Sequence, residues 1–387
     1  MRRFLNPFVF IFTAVILGCY LYAAHQLTSH FLAQMLLALP FLAVWLVPII
    51  VWSGDREESG EGTHIFQICA YLSMGWLNFL FVALIPLNLI SLGLAFTGQK
   101  DLSLRLDSYT PPLTFGLSLL ALGIGFWRAT RGPSLREVRI EMETLPAALK
   151  NLRIVQISDL HVGPTIHKKY VEKVVAQSNA LNADLIVLTG DIVDGSVRDL
   201  REHTGALANL KAKLGVYLIL GNHDYYSGAE AWVEEFKALG LRVLLNGHDR
   251  LKKGDTEFML AGVLDPAVKA FSKTLKPDPF LARGNVQASE PLFRILLAHN
   301  PKLAQEAARA GFHLQVSGHT HAGQFIPWTW ITKMIHDPHY AGLSREGPMW
   351  VYVSAGTGSW GPPIRLGTSP ELTLLTLDNK LSGFSQT

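Results

Sequence analysis

"LRIVQISDLH", Leu152–His161, is an apolar, β-type run that ends on an aspartate and a histidine one residue apart. The same design recurs along the chain. "ADLIVLT", Ala183–Thr189, is followed by Gly190-Asp191, and "GVYLIL", Gly215–Leu220, by Gly221-Asn222-His223-Asp224. "FRILLA", Phe293–Ala298, is followed by His299, and "FHLQVS", Phe312–Ser317, by Gly318-His319-Thr320-His321. Helical stretches intervene: "KKYVEKVVAQSNAL", "AEAWVEEFKALG" and "PKLAQEAARAG", with Gly240 and Gly311 as helix stops. Strands alternating with helices predict α/β layers, in which the carboxyl ends of neighbouring strands converge on one crevice.

Those strand ends carry a consistent chemistry. Aspartate and imidazole suit Mn, Fe or Zn, and a carboxylate can bridge two such ions about 3.5–4 Å apart. Singly, each residue has an ordinary use. Asp159 and Asp191 could cap helices, Asn222 could serve a turn, and His299 could be a satisfied core histidine. Taken as one ordered set after strands, they point to metal binding. The only cysteines, Cys19 and Cys69, lie in apolar segments, so no disulfide framework or thiolate metal site is expected.

Upstream the composition changes. Residues 1–127 hold five basic and six acidic residues of the chain's 34 and 31, which leaves 29 and 25 for residues 128–387. Four apolar segments qualify as membrane spans: Phe4–Ala24, Phe31–Trp52, one within Ile65–Phe96, and Tyr109–Trp127. The third is too long for one straight helix and contains Pro86, so a tilt, a kink or an interfacial piece is expected. "GCYLYAAHQL" makes a poor cleavage site, so the first segment reads as a span rather than a signal peptide. Arg2, Arg3, Arg128, Arg131, Arg136 and Arg139 flank the outer ends of this region. That bias favours a multi-pass protein of an inner or plasma membrane with both ends cytoplasmic. The spans themselves lack charge, which favours an anchor over a transporter. The small, scattered positive excess of the rest gives no reason to expect nucleic acid.

The ordered motifs D-x-H, G-D-x-x-D, G-N-H-D, a later His and G-H-T-H resemble those of the calcineurin-like metallophosphoesterases. The likeness extends through "SDLHVGPTIH", "GNHDYYSGAEAW", "LAHNP", "SGHTHAGQFIPW" and "VSAGTGSWGPPIRLGTSPELTLLTL", over about residues 135–380. These look like the membrane-associated YkuE/YaeI-like subgroup. The resemblance implies an N-terminal helical transmembrane region and an α/β domain built as a two-sheet β-sandwich flanked by helices. The expected bounds are 1–130 for the membrane region, 131–151 for linker and first strand, and 152–380 for the catalytic domain.

The same resemblance implies two divalent metal ions, with Asp159, His161 and His321 on one, Asp191 bridging, and Asn222, His299 and His319 on the other. It implies phosphodiester or pyrophosphate hydrolysis by a metal-bridging hydroxide, with His223 as general acid, Asp194 orienting it, and Asp224 as a neighbour behind the ligands. "GDIVDGS" lacks the arginine that protein phosphatases carry after the second aspartate, so serine/threonine phosphatase activity is not expected.

The expected partners are the bilayer and a phosphorylated small molecule or lipid, with UDP-2,3-diacylglucosamine a specific candidate; no protein partner is inferred. Alternatives are a soluble-nucleotide phosphodiesterase, a non-catalytic binder of a phosphorylated ligand, or a transporter with a regulatory domain. Arg365 in "PPIRLG" could grip phosphate through its planar donor fork or form a structural ion pair. "QFIPWTWITKMIHDPHY" supplies Phe325, Trp328, Trp330 and Ile331, either as a flap that admits an acyl chain or touches the bilayer, or as core packing. His167, His336 and His339 are candidates to approach a substrate, whereas His203, His248 and His313 read as surface or packing residues.

Overall fold

The computed structural model describes residues 7–50, 61–287 and 290–379. Arg2, Arg3 and the outer ends of the first two expected spans lie outside the described residues. The chain divides into two compact units, Met1–Trp127 with Gly361–Ile364, and Arg128–Trp360 with Arg365–Thr387.

Among the described residues the N-terminal region contains four apolar helices: α1 (Pro7–Leu27), α2 (Phe31–Ile50), α3 (Glu61–Phe96) and α4 (Lys100–Thr130). Among the described residues, Val9–Leu27, Ile65–Phe96 and Lys100–Thr130 are long and apolar enough to cross a membrane, and Phe31–Val47 is a shorter apolar helix. α3 runs as one 36-residue helix through Pro86. The fourth helix begins at Lys100, nine residues before the apolar stretch that announced it. Its extra turns are polar, and Asp107 there accepts from Ser91 Oγ of α3 at 2.5 Å. Small residues and aromatics knit the helices together: Ala23, Ala24, Phe41, Leu80 and Leu84 form a shared buried cluster.

The second unit is a sandwich of two six-stranded sheets. The first sheet has the order β1 (Ser134–Met142), β12 (Glu371–Asn379), β2 (Arg153–Ile157), β3 (Leu185–Thr189), β4 (Val216–Ile219) and β5 (Arg242–Val243). The second has the order β10 (Gly342–Glu346), β11 (Met349–Val353), β9 (Leu314–Ser317), β8 (Phe293–Leu297), β7 (Thr256–Gly262) and β6 (Gly247–Lys253). β2 to β5 run parallel, as do β7, β8, β9 and β11.

Their near-continuous apolar sequences follow from burial on both faces. Along β3, Leu185 and Val187 enter the layer between the sheets, while Ile186 and Leu188 pack outward. The outward layer meets Val171, Val174 and Val175 of α5 (Lys168–Ala180) and Trp232 and Phe236 of α8 (Ala229–Ala238). Between these two helices come α6 (Val197–Thr204), capped by the Ser196 hydroxyl, and the single turn α7 (Asn222–Tyr226). On the other side, Met259, Leu296 and Val351 meet α9 (Pro279–Arg283) and α10 (Ala304–Arg309) through Ala282, Ala304 and Ala307. The last helix, α11 (Trp328–His336), follows β9 and buries no residue. This is the two-sheet sandwich flanked by helices that the sequence implies. Its carboxyl strand ends gather Asp159, Asp191, Asn222, His299, His319 and His321.

Candidate metal centre

Five of the strand-end residues have an unusual backbone. Asp159 (φ 52°), His161 (52°), Asp191 (52°), His319 (76°) and His321 (50°) all occupy the left-handed region, which costs an L residue roughly 1–2 kcal/mol. Such strain persists only where surrounding contacts over-determine it. Those contacts are tight. A Cβ on Gly190, itself at φ 88°, would come within 2.7 Å of His299 Nδ1, and one on Gly221 would collide with the Asp191 carboxylate.

Among the described residues three groups of donors result, each with its candidate ligand atoms within 4.8 Å of one another: Asp159, His161 and His321; His161, Asp194 and His223; Asp191, His299 and His319. His161 Nε2 and His321 Nε2 face each other at 3.0 Å. Asp191 Oδ2 lies 3.8 Å from His161 Nε2 and 3.2 Å from His299 Nε2, between the first and third groups. Asn222 Oδ1 joins the third through His319 Nδ1 at 3.0 Å. Asp159 accepts from the Ser158 hydroxyl at 2.5 Å and from the His319 backbone N–H at 2.9 Å.

The other ring nitrogens have fixed duties. His299 Nδ1 meets the Thr189 carbonyl at 2.8 Å and so carries the proton of the neutral ring, whose Nε2 then has the lone pair. That nitrogen is buried and makes no hydrogen bond. Asp194 receives both His161 Nδ1 (3.1 Å) and His223 Nδ1 (2.8 Å), which turns each Nε2 away from the carboxylate. A carboxylate behind an imidazole is the usual support for a metal-ligating histidine.

The electrostatics agree with this. Burial opposes ionising Asp191, yet His299, His223 and His161 outweigh it and hold its carboxyl well below the ordinary range. Burial also works against a charged His161, but Asp194 overcomes it and lifts the imidazole to about 9. His319 is pushed down to about 3 by burial and by the charge of His299. His321 falls well below its ordinary value through burial, His161 and Arg365. His319 and His321 offer neutral imidazoles, while the carboxylates beside His161 and His299 favour protonated rings whose proton a divalent cation would displace; such nitrogen and carboxylate donors fit hard to borderline divalent cations.

Residues outside the ligand set behave differently from expectation in places. Arg365, expected as a phosphate grip or an ion-pair member, is fully buried. It donates to the carbonyls of His321 (3.0 Å), Ala355 (2.7 Å) and Gly358 (2.5 Å), so no substrate can reach its fork. Its Nη2 also donates to His321 Nδ1 at 3.1 Å.

Asp224 is a brace. It accepts from the Ile192, Val193 and Gly221 N–H groups at 2.8–3.1 Å, tying the β3 loop to α7, and burial with the nearby Asp191 lifts it to about 7. His336 brings its ring centroid to 6.0 Å from that of His319. His339 instead bonds Ser344 and Glu346, and His167 lies against His203 with ring centroids 5.0 Å apart. Of the flap candidates only Phe325 is buried. Sequence reasoning overlooked Tyr226 and Trp360, whose rings lie 5.6 Å and 5.7 Å from that of His223. Tyr226, adjoining the G-N-H-D motif, was the more discoverable.

Nitrogen and oxygen donors at the strand ends of such a sandwich define a candidate centre for divalent metal ions. Residues 152–323 match the family described as calcineurin-like phosphoesterase. A zebrafish (Danio rerio) "Transmembrane protein with metallophosphoesterase domain" is 35% identical over 65% of this chain and 59% of its own length. A metallophosphoesterase of Campylobacter jejuni is 30% identical over 82% of this chain and 85% of its own. The Bacillus subtilis metallophosphoesterase YkuE is 32% identical over 62% and 84%. The chain belongs to the calcineurin-like metallophosphoesterases. It spans well under two thirds of the zebrafish relative.

Proposed function

We propose that this chain is a membrane-anchored phosphoesterase of the YkuE/YaeI-like subgroup that cleaves a phosphodiester or pyrophosphate. In this reading residues 1–130 form the membrane region, 131–151 the linker and first strand, and 152–380 the catalytic domain. Asp159, His161 and His321 hold one divalent ion, Asn222, His299 and His319 the other, and Asp191 serves both. Two such ions, Mn, Fe or Zn, would supply Lewis-acid polarisation of a phosphoryl oxygen and a water acidic enough to react near neutral pH.

The chain's own residues do the rest. Asp194 holds the His223 proton on Nδ1 in the neutral ring, so a protonated His223 presents Nε2–H to the departing oxygen. The observation that carries catalysis over mere binding is this shared carboxylate. Asp194 supports a ligand histidine and a half-buried, non-ligand histidine beside the same cluster. A binder would need only the first.

The apolar helices support a lipid-linked substrate, with UDP-2,3-diacylglucosamine the specific candidate. α2 is 20 residues and about 30 Å long, enough for a fourth span, which with the arginine bias supports a cytoplasmic catalytic domain at an inner or plasma membrane.

The test is Mn²⁺-dependent hydrolysis of bis(p-nitrophenyl) phosphate by the detergent-purified full chain beside Asp191→Asn. Turnover lost in the variant supports the enzyme, and lipid pyrophosphates are then screened. If neither protein turns over this ester or any lipid pyrophosphate while both forms bind phosphorylated ligands, the non-catalytic reading replaces it.

A further inference from the structure

α11 is amphipathic the wrong way round for water. At about 100° per residue, Trp330, Met334, Ile331, Ile335 and Trp328 share an arc of about 160°, and Thr329, Thr332, His336 and Lys333 take the opposite side. Water-facing helices normally turn the apolar stripe toward the protein. Here the large apolar side chains are the exposed ones: Trp330 67%, Met334 84%, Ile335 59%, Trp328 48% and Ile331 38%. The polar side is the one that packs. Thr329, Thr332 and His336 are half-buried, and the Thr329 backbone lies so near Gly323 that a Cβ there would approach its nitrogen to 2.5 Å. His336 turns its ring toward His319. A single exposed leucine needs no explanation, whereas five contiguous large apolar side chains do.

The chain already commits itself to lipid through its N-terminal helices. The arc has the make-up that a membrane interface takes: two tryptophans, aliphatic side chains and an adjoining lysine. Lys333, exposed at the edge of the arc, can reach anionic headgroups along its own alkyl stem.

We propose that α11 is an interfacial helix, seating its Trp330–Met334 arc at the headgroup–acyl boundary of the bilayer that carries the chain. The inference rests on reading the apolar helices as bilayer spans, and it does not depend on which ester is cleaved. Because His336 and His319 adjoin, a docked α11 sets the edge of the metal cluster at lipid level. An amphiphile could then enter without leaving the bilayer.

The test uses the full chain in vesicles of phosphatidylcholine with a quarter phosphatidylglycerol. Nitroxide labels go on Met334→Cys, Ile335→Cys, Thr332→Cys and, as an aqueous reference, Glu234→Cys on α8, all in a Cys19→Ser, Cys69→Ser background. Collision with oxygen, which partitions into lipid, is compared with collision with a water-soluble nickel chelate. The oxygen-to-nickel ratio at positions 334 and 335 is expected to exceed that at 234 by about fivefold or more, with both reagents excluded at 332. Ratios at 334 and 335 equal to the reference would overturn the proposal. So would protection from both reagents at those positions, which would mean that a protein surface, such as a second copy, covers α11. Activity is not the readout, so failure here is distinct from failure of the phosphoesterase reading.

Discussion

Asp194 accepts from two imidazoles at once; an amide in its place keeps one acceptor oxygen but loses the charge and puts an N–H donor where Oδ2 now faces His161 Nδ1. Asp194→Asn should therefore leave one ring with the wrong tautomer. The expected loss in kcat is about 10²–10⁴-fold, the usual span of general acid–base catalysis, and larger for an alkyl than for a p-nitrophenyl leaving group. Equal losses on both esters would remove His223 from leaving-group protonation.

A second residue offers a pH test away from the metal cluster. His313 stacks on Phe293 and accepts the Arg294 N–H at 3.0 Å. Burial and then the Arg294 charge push it down to about 4. Its unfolded value is near 6.5, so the unfolded chain takes up the proton first as pH falls. Stability should be full above about 6.5 and decline toward 4, by on the order of 2–3 kcal/mol. His313→Asn, which keeps an acceptor, should flatten that slope in urea melts at a series of pH values. At this scale the candidate ligands were legible because each lies within four residues of an apolar run. Arg365 was not, because an isolated Pro-Pro-Ile-Arg reads the same whether its fork meets a phosphate or four backbone groups.

Loops between elements, more than the elements, hold the site in place. Gly221 follows β4 where any Cβ would strike Asp191, so Gly221→Ala should displace the third donor group. The measurement is Mn²⁺ affinity by calorimetry, expected to weaken at least about tenfold, as loss of a supporting contact commonly does. Asp224→Asn keeps the shape and an oxygen for the Ile192 and Val193 N–H groups but turns an N–H donor toward that of Gly221, at a cost of about 1–3 kcal/mol in urea denaturation.

The parallel strands behind the motifs could be read from their apolar runs and glycine stops. The early start of α4 could not, since hydropathy reports the surrounding medium rather than the backbone, and Lys100–Ser108 is polar yet helical. α11 stays open between flap and core in the sequence for a related reason. Trp328, Trp330 and Ile331 look like core by composition, and only the angular arrangement shows that they face out.

At the scale of the molecule, the candidate centre draws Asp159, Asp191 and Asn222 from the first sheet and His299, His319 and His321 from the second. Cations bound there would join the two halves of the sandwich. Adding Mn²⁺ at about 100 times its Kd should stabilise the domain by about 2.7 kcal/mol, and a chelator should reverse this. Hydrogen exchange in β2 and β8 together is the readout, and protection confined to one sheet would contradict a shared centre.

The sheet order also has a consequence in time. β12 inserts between β1 and β2, pairing Ser134 with Glu371 on one side and Arg153 with Thr376 on the other. A ribosome adding about 5–20 residues per second needs roughly ten to fifty seconds to travel from β1 to β12. Throughout that interval β2 has an open edge, and the first sheet lacks the strand that closes it. The nascent domain must therefore wait, exposed and unfinished, after the apolar helices have already left the ribosome. A chain interrupted before Glu371 would leave a membrane-tethered half-sheet for quality control to find.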